Sequence, residues 1–501
     1  MGAGPGDPGL LTLAGLECLQ QADLVLYDGL ANPLLLRHTS ADAERTGRGD
    51  SPDGRVLDQE EINERLIAAA RAGKTVVRLK GGDPFIFGRG GEEAAALADA
   101  GIPFEIVPGV TAATAASEYA GISLTHRRHA STVAFVTGHE DPTKSSTSVN
   151  YELLARFKGT LVFYMGLHRI EGIVDSLVGA GLNPDVPACV ISRASTPAQR
   201  TVVAPLKGLV SAVRQAELHA PSLIVIGECV RQREEIAWFE RRALFGKRIG
   251  ITRPDRQADA EIARALKLGA QPILLPTIAI RPPDDWSAID EALHDVDGYD
   301  WLVFTSANGV NGLLGRLWET GGDLRRLRSL KLAAIGPATA AALEQFHLRA
   351  DLVPETYRAE ALAEMLIPRV AGVNVLWARA SRGRDVLPNE LVKAGATVTE
   401  LVVYQNVDVD ALPPAVVEQL ESGQVDWIGL SSPSIAAALK KLLSSAALEH
   451  VGKKIRLASI SPVTSQAAQE VGLPIAAEAE TYTWEGIFEA IVAAENGNHS
   501  T

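Results

Sequence analysis

Short runs of β-branched and apolar residues, each closed by a glycine- or hydroxyl-rich turn, alternate with helix-spaced apolar positions along the whole chain. The runs at 23–27, 76–79, 131–137, 160–166, 186–192 and 222–227 predict buried strands, and 11–21 and 60–72 predict helices. Residues 102–107 also read as a strand, whereas the polar, Arg- and Gly-rich stretch 41–58 reads as a loop. Over 231–247 Arg, Gln, Glu and Trp cluster without clean periodicity, and the principal boundary falls there. The pattern then restarts, with strands near 248–254, 272–275, 301–304, 332–335, 427–430 and 457–460. The stretch 427–434 echoes 301–308, and 457–464 echoes 332–339: strand, hydroxyl-rich loop, helix. Two similar lobes facing one cleft follow from such an echo. The alternation is that of an α/β protein with helices packed on parallel sheets.

The chemistry-bearing stretch is 76–93. Val76–Leu79 predicts a strand, Gly81 and Gly82 allow close backbone approach, Asp83 sits at the strand's end, and Gly90 and Gly91 open a helix with Glu92 and Glu93 in its first turn. An ordinary βα connection is the plain alternative. Residues 1–9 superficially match a dinucleotide fingerprint. Pro5 and Pro8 lack the N–H donors that would cradle a pyrophosphate, and no strand precedes the loop. Asp28 also falls at a strand's carboxyl end, where α/β enzymes place chemistry. Arg45, Arg48 and Arg55 read as a solvated connector. The cluster Thr125, His126, Arg127, Arg128 suits an anion.

Composition narrows the classes. At 501 residues the chain is too long for one core. Its net charge of -13 argues against a general nucleic-acid binder, though local Arg clusters leave an anionic small substrate open. Cys18, Cys189 and Cys229 are far apart and suit a reducing compartment. No apolar run approaches 20 residues, so neither a membrane span nor a signal peptide is expected, and the cytoplasm is the default.

With 76–93, 2–12, 108–112, 124–127 and 162–166 in one order, the first half, residues 1–242, resembles uroporphyrinogen-III C-methyltransferase. The resemblance implies a two-lobed tetrapyrrole-methylase fold with S-adenosylmethionine between the lobes. It implies cofactor contacts at Pro5, Gly81, Gly82, Asp83, Ile86, Thr111, Ala112, Met165 and Ala194. Asp28 matches the family's proton acceptor. The family's proton-donor lysine falls near Arg48, which is always charged and is placed instead against a substrate carboxylate or left as the donor's replacement. Arg78, Arg89, Arg127 and Arg128 are expected to clamp substrate carboxylates. The family's strand before the glycine-proline loop has no counterpart here, which predicts weakened cofactor binding.

Residues 248–501, after a linker at 243–247, resemble uroporphyrinogen-III synthase through 304–310, 335–340, 402–404 and 431–433. Two flavodoxin-like lobes are implied, an outer one from 248–277 plus 407–501 and an inner one from 278–406. The reaction implied is closure of hydroxymethylbilane with inversion of the last pyrrole and loss of water, with no metal or cofactor. Tyr404 matches a tyrosine that helps the hydroxyl leave; a strand-end tyrosine with a satisfied hydroxyl is the alternative. Thr305, Ser306, Thr339, Ser431 and Ser432 are expected to hold carboxylates at helix N-termini, with Arg253, Arg379, Arg382 and Arg384 as further candidates.

Together the halves imply consecutive steps: uroporphyrinogen III is made, then methylated twice to precorrin-2 on the sirohaem or cobalamin route. A homodimer through the first half is implied by the family. The alternatives are synthase activity alone, a methylase for another substrate, a second half that only senses a tetrapyrrole, and an NAD oxidoreductase.

Overall fold

The computed structural model describes residues 1–46, 57–138, 148–383 and 385–498. Among these the strands form four sheets, two in each half. In the first, β1 (Leu24–Tyr27) lies between β2 (Asp42–Arg45) and β3 (Val76–Leu79), all parallel. The second contains β4 (Val133–Thr137), β5 (Thr160–Tyr164), β6 (Pro187–Ser192), β7 (Arg200–Pro205) and β8 (Ser222–Ile226), in the order β4-β5-β8-β6-β7. The pair β4–β5 is its only parallel pairing among the described residues.

The second half begins with β9 (Arg248–Ile251) and β10 (Gln271–Leu274). It then crosses into a sheet of β11 (Ile278–Arg281), β12 (Trp301–Phe304), β13 (Lys331–Ala334), β14 (Asn374–Ala380) and β15 (Thr397–Asp408). It returns with β16 (Trp427–Leu430), β17 (Arg456–Ser459) and β18 (Ala477–Glu478), giving the order β10-β9-β16-β17-β18. The inner order is β11-β15-β14-β12-β13, and β11 and β15 pair antiparallel where the chain passes between lobes.

The unbroken apolar runs arise because these sheets are covered on both faces. Along β5, Leu161 and Phe163 enter one core while Val162 and Tyr164 enter another. Along β12, Leu302 and Phe304 face one cluster, and Trp301 and Val303 the opposite one. The sequence echo is a topological one as well. β12 and β13 are parallel neighbours, as are β16 and β17. The helices after β12, β16 and β17 are capped by Ser306, Ser432 and Ser461, whose side chains accept the N–H of Gly309, Ile435 and Thr464.

Four expectations are corrected. Residues 42–45, expected in a loop, form β2; as an edge strand with one partner it tolerates Asp, Glu and Arg. Residues 102–107, expected as a strand, form none: Phe104 and Ile106 are exposed and only Val107 is buried. Parallel sheets were expected throughout, but the β4–β8 sheet is mostly antiparallel and includes β7. Last, the glycine-proline loop does not lack support. No strand forms at 1–4, but Ala3 N donates to Lys80 O (2.7 Å), Lys80 N to Met1 O (3.0 Å), Gly2 N to Val107 O (3.0 Å) and Gly82 N to Gly4 O (2.8 Å). The segment extends the sheet beyond β3.

The two halves touch. Arg37 donates to Asp259 Oδ1 (2.9 and 2.7 Å) and pairs with Asp255, and Leu244 N donates to Leu268 O. No described helix is long and apolar enough to cross a membrane. All three cysteines are free, and complete burial pushes the Cys189 thiol up to about 12, which keeps it inert.

Candidate functional site

In the first half, loops from both lobes are stitched together. Asp83 accepts from Phe85 N (2.8 Å) through one oxygen and from Gly109 N (3.1 Å) through the other. Thr111 Oγ1 and Tyr164 OH lie 2.6 Å apart, and Ala113 N donates to the same phenol (3.0 Å). Burial pushes the Tyr164 hydroxyl above its ordinary range, so it stays protonated. Phe87 packs on its ring, centroids 4.8 Å apart. Asp7 N donates to Ser195 Oγ (3.2 Å), Tyr119 OH to Asp7 Oδ2 (2.7 Å), and Asn32 Nδ2 to Gly6 O (2.6 Å).

Backbone geometry marks the same place. Non-glycine residues with left-handed φ include Phe87, Arg89, Met165, Arg193 and Ser195, in the loops after β3, β5 and β6. Each costs on the order of 1–3 kcal/mol, and such strain gathers at ligand clamps. Gly82 has φ +71°, and a Cβ on Gly109 would lie 2.4 Å from Gly82 O and 2.7 Å from Gly2 Cα. Three backbones therefore meet where side chains are excluded. Ile86 and Met165 expose apolar side chains on the loops after β3 and β5. This combination of close backbone, exposed thioether and fixed carboxylate fits a nucleoside bearing a sulfonium.

Pro5, Gly81, Gly82, Asp83, Ile86, Thr111, Ala112, Met165 and Ala194 thus fall on the connected loops, Ala194 between the two strained residues Arg193 and Ser195. Asp28 follows β1, its N–H donating to Leu79 O (3.0 Å). Arg48, with Arg55, lies outside the described residues. Arg78 is not a free clamp: it is buried and spent on Asp28 and Glu93. Arg89 occupies the N-cap position of the helix Gly90–Asp99 without a side-chain capping bond and donates to both oxygens of Glu92 (2.9 and 2.7 Å), whose carboxyl it holds below the ordinary range. Arg127 and Arg128 are exposed and make no ion pair among the described residues. Sequence reasoning gave no role to Tyr164, although it ends a buried strand immediately before Met165. It also missed Ser195 and Tyr119, which only tertiary contact brings to Asp7.

In the second half a cleft of about 700 Å³ lies between the lobes, lined in part by Arg253, Gln257, Asn308, Tyr404, Ser431 and Trp484. Tyr404 OH donates to Ser306 Oγ (2.9 Å), so a tyrosine within β15, not at a strand end, meets the cap of the helix Ala307–Glu319. Gln257 Nε2 donates to Asn308 Oδ1 (2.6 Å), tying the outer lobe to the inner one. Thr305 sits behind, accepting from Trp377 Nε1 (3.1 Å). Ser431 lines the cleft, and Ser432 caps its helix beside Ser434. Thr339 is buried and does not line the cleft. Arg253 pairs with Glu261 (3.1 Å), Arg379 with Glu400 and Asp385 while stacking on Trp377, and Arg382 with Asp408 (2.7 Å); Arg384 lies outside the described residues. Of the described ones, only Arg253 lines the cleft.

Comparison with known proteins agrees with this division. The family described as tetrapyrrole (corrin/porphyrin) methylases matches residues 1–210, and uroporphyrinogen-III synthase HemD matches 259–489. Porphyrin biosynthesis protein HemD of Ruminiclostridium josui is 32% identical over 499 residues, covering 99% of this chain and 98% of that one. Uroporphyrinogen-III C-methyltransferase of Bacillus subtilis (strain 168) is 38% identical over 345 residues, 69% of this chain and 70% of that protein. The chain spans about half the length of the siroheme synthases it also matches. A solved structure of uroporphyrin-III C-methyltransferase from Thermus thermophilus, complexed with S-adenosylhomocysteine, is 39% identical with a TM-score of 0.40, covering 46% of this chain and 97% of that one. Similar over its whole length to a porphyrin-biosynthesis HemD protein, the chain belongs to that family and is a bifunctional tetrapyrrole-biosynthesis enzyme, a methylase unit followed by a uroporphyrinogen-III synthase unit.

Proposed function

We propose that the second half cyclises hydroxymethylbilane to uroporphyrinogen III and that the first half methylates this product twice, giving precorrin-2. The observation that carries the first step is Tyr404, whose hydroxyl reaches Ser306 Oγ at the wall of the interlobe cleft. On substrate entry the phenol exchanges this bond for one to the leaving hydroxyl. The hydroxymethyl C–O bond breaks and oxygen leaves as water; the carbon so freed bonds to the α-position of the last pyrrole that already carries its bridging carbon, that older C–C bond breaks, and the released bridging carbon closes the ring at the pyrrole's free α-position. The ring position attacked releases its proton. Arg253 and the N-termini capped by Ser306 and Ser432 hold carboxylates.

In the first half the loops carrying Pro5, Gly81–Asp83, Ile86, Thr111, Ala112, Met165 and Ala194 hold S-adenosylmethionine. Bound there, it supplies an electrophilic methyl group. The protein's part is mainly orientation: the cradle these loops form fixes the donor, and Arg89 and Arg127 orient the carboxylated macrocycle. Asp28 accepts a proton from the ring system. The destination is sirohaem or cobalamin, the compartment the cytoplasm. The first half associates as a homodimer, for which exposed Phe104 and Ile106 offer apolar surface.

The test is isomer analysis. With hydroxymethylbilane the full chain is expected to yield the type III isomer, and Tyr404→Phe to yield mainly the uninverted isomer that closes without catalysis. Wild-type product that is all uninverted overturns the synthase assignment. Radiolabelled methyl transfer to supplied uroporphyrinogen III tests the first half separately, and no transfer overturns that assignment.

A further inference from the structure

Residues 78, 80 and 93 form a buried charged cluster that the reading above leaves without a role. Arg78 stands opposite Leu26 in the β1–β3 register. Its guanidinium uses all three nitrogens: Nε donates to Glu93 Oε1 (3.1 Å), Nη1 to Leu26 O (3.3 Å) and Thr46 Oγ1 (3.0 Å), and Nη2 to Asp28 Oδ1 (2.5 Å). Glu93 Oε1 also accepts from Lys80 Nζ (2.8 Å) and Gln59 Nε2 (3.1 Å). The side chains of Arg78, Lys80 and Glu93 are 10%, 5% and 6% exposed, while Asp28 is 30% exposed. Asp28 is therefore the one member of the cluster that opens outward. Its Oδ2 accepts no hydrogen bond among the described residues.

Stability alone gives this cluster little reason to exist. Two cations and the Glu93 carboxylate are largely withdrawn from water, at several kcal/mol per ion before their attraction is counted, and well-packed apolar residues often do as well or better. What the cluster provides is direction. Glu93 belongs to the first turn of the helix Gly90–Asp99, and Lys80 sits where Met1 and Ala3 join the sheet. Both anchors are fixed, so the fork of Arg78 is fixed, and one oxygen of Asp28 is fixed in turn. The fork of Arg78 leaves the other oxygen untouched.

We infer that Arg78 is a positioning residue for methyl transfer: braced by Glu93 and Lys80, it pins Asp28 Oδ1 so that Oδ2 meets the proton Asp28 accepts. A lysine in its place keeps the charge but cannot span Glu93, Thr46 and Asp28 together. The inference rests on the reading of Asp28 as proton acceptor, and the experiment separates the two.

The full chain is made as Asp28→Asn, Arg78→Gln, Arg78→Lys and the double variant Asp28→Asn/Arg78→Gln. Each is assayed for kcat and KM toward uroporphyrinogen III, for S-adenosylhomocysteine affinity by calorimetry, and for synthase rate. Asp28→Asn is expected to lower kcat by about 10²-fold or more. Arg78→Gln is expected to lower it comparably with affinity for S-adenosylhomocysteine unchanged, Arg78→Lys to be intermediate, and the double variant to be no slower than Asp28→Asn. A double variant slowed by the product of the single effects overturns the inference, as does wild-type kcat in Arg78→Lys. If Arg78→Gln loses S-adenosylhomocysteine binding, the role is structural and the inference is also overturned. Wild-type kcat in Asp28→Asn removes the Asp28 reading itself.

Discussion

Gly109→Ala tests the cofactor cradle at its tightest point. The new Cβ would lie 2.4 Å from Gly82 O, about 1 Å inside the 3.4 Å at which ordinary contact begins, and 2.7 Å from Gly2 Cα. Neither neighbour is a flexible side-chain end. Gly82 exchanges hydrogen bonds with Gly4 in both directions, and Gly2 N is committed to Val107 O. Relief therefore requires moving backbone that is already bonded, at a cost of about 1–3 kcal/mol for an overpacked site. If that displacement must be reversed on binding, S-adenosylhomocysteine loses roughly 5- to 150-fold in affinity, at 1.4 kcal/mol per tenfold. Calorimetric titration of the full chain measures it, with synthase rate as an internal control because the distant cleft is untouched. Gly91→Ala is the matched comparison: a Cβ there meets nothing within 4 Å, and the residue lies in the first turn of a helix. It should bind normally and melt at the wild-type temperature or slightly above, by about 0.4–1 kcal/mol. Wild-type affinity and melting temperature in Gly109→Ala would refute the reasoning.

Three further outcomes follow from particular contacts. Tyr164→Phe leaves the buried Ala113 N–H without its acceptor, so the first half should lose about 1–3 kcal/mol of stability by thermal melting, and an unchanged transition contradicts this. For Glu93, burial pushes the carboxyl up, but Arg78 and the Lys80 ammonium outweigh it and hold it below its ordinary value. A depressed carboxyl stabilises above the unfolded value, about 4.3, and loses that contribution as pH falls through the lower folded value. The stability difference between wild type and Glu93→Gln should therefore shrink as pH drops below about 4.3, and a difference constant from neutral pH into acid argues against the cluster. Arg37→Ala removes the ion pairs between the halves; because Asp255 and Asp259 are largely exposed, the loss should be no more than about 1 kcal/mol and should fade in about 1 M salt. A larger, salt-insensitive loss by denaturant titration would mean a desolvated contact.

The parts legible from sequence are those whose physics is local. Val76–Leu79 and Thr160–Tyr164 announce themselves as short runs dominated by β-branched and apolar residues, although Arg78 interrupts the first, and the helix starts after Ser306 and Ser432 because a hydroxyl-rich loop follows each strand. Asp42–Arg45 is a strand with no apolar signature, since its edge position asks for none. Residues 102–107 carry the opposite deception: Ile102, Phe104, Ile106 and Val107 resemble a strand, but most of that surface serves no sheet. The pairing of residues 1–4 with Lys80 and Gly82 depends on three glycine-lined backbones meeting across the fold, which no local propensity encodes. Arg78 was misread as a substrate clamp for the same reason. Its carboxylate partners lie 50 and 15 residues away, and an arginine looks the same in sequence whether its fork is free or filled.

The most direct test supplies the full chain with hydroxymethylbilane and methyl-labelled S-adenosylmethionine and no other enzyme. The expected product is a type III macrocycle carrying two labelled methyl groups, with uroporphyrinogen III appearing first and then declining. Unmethylated uroporphyrinogen III that accumulates without taking up label, or a macrocycle of the uninverted isomer, would contradict the account.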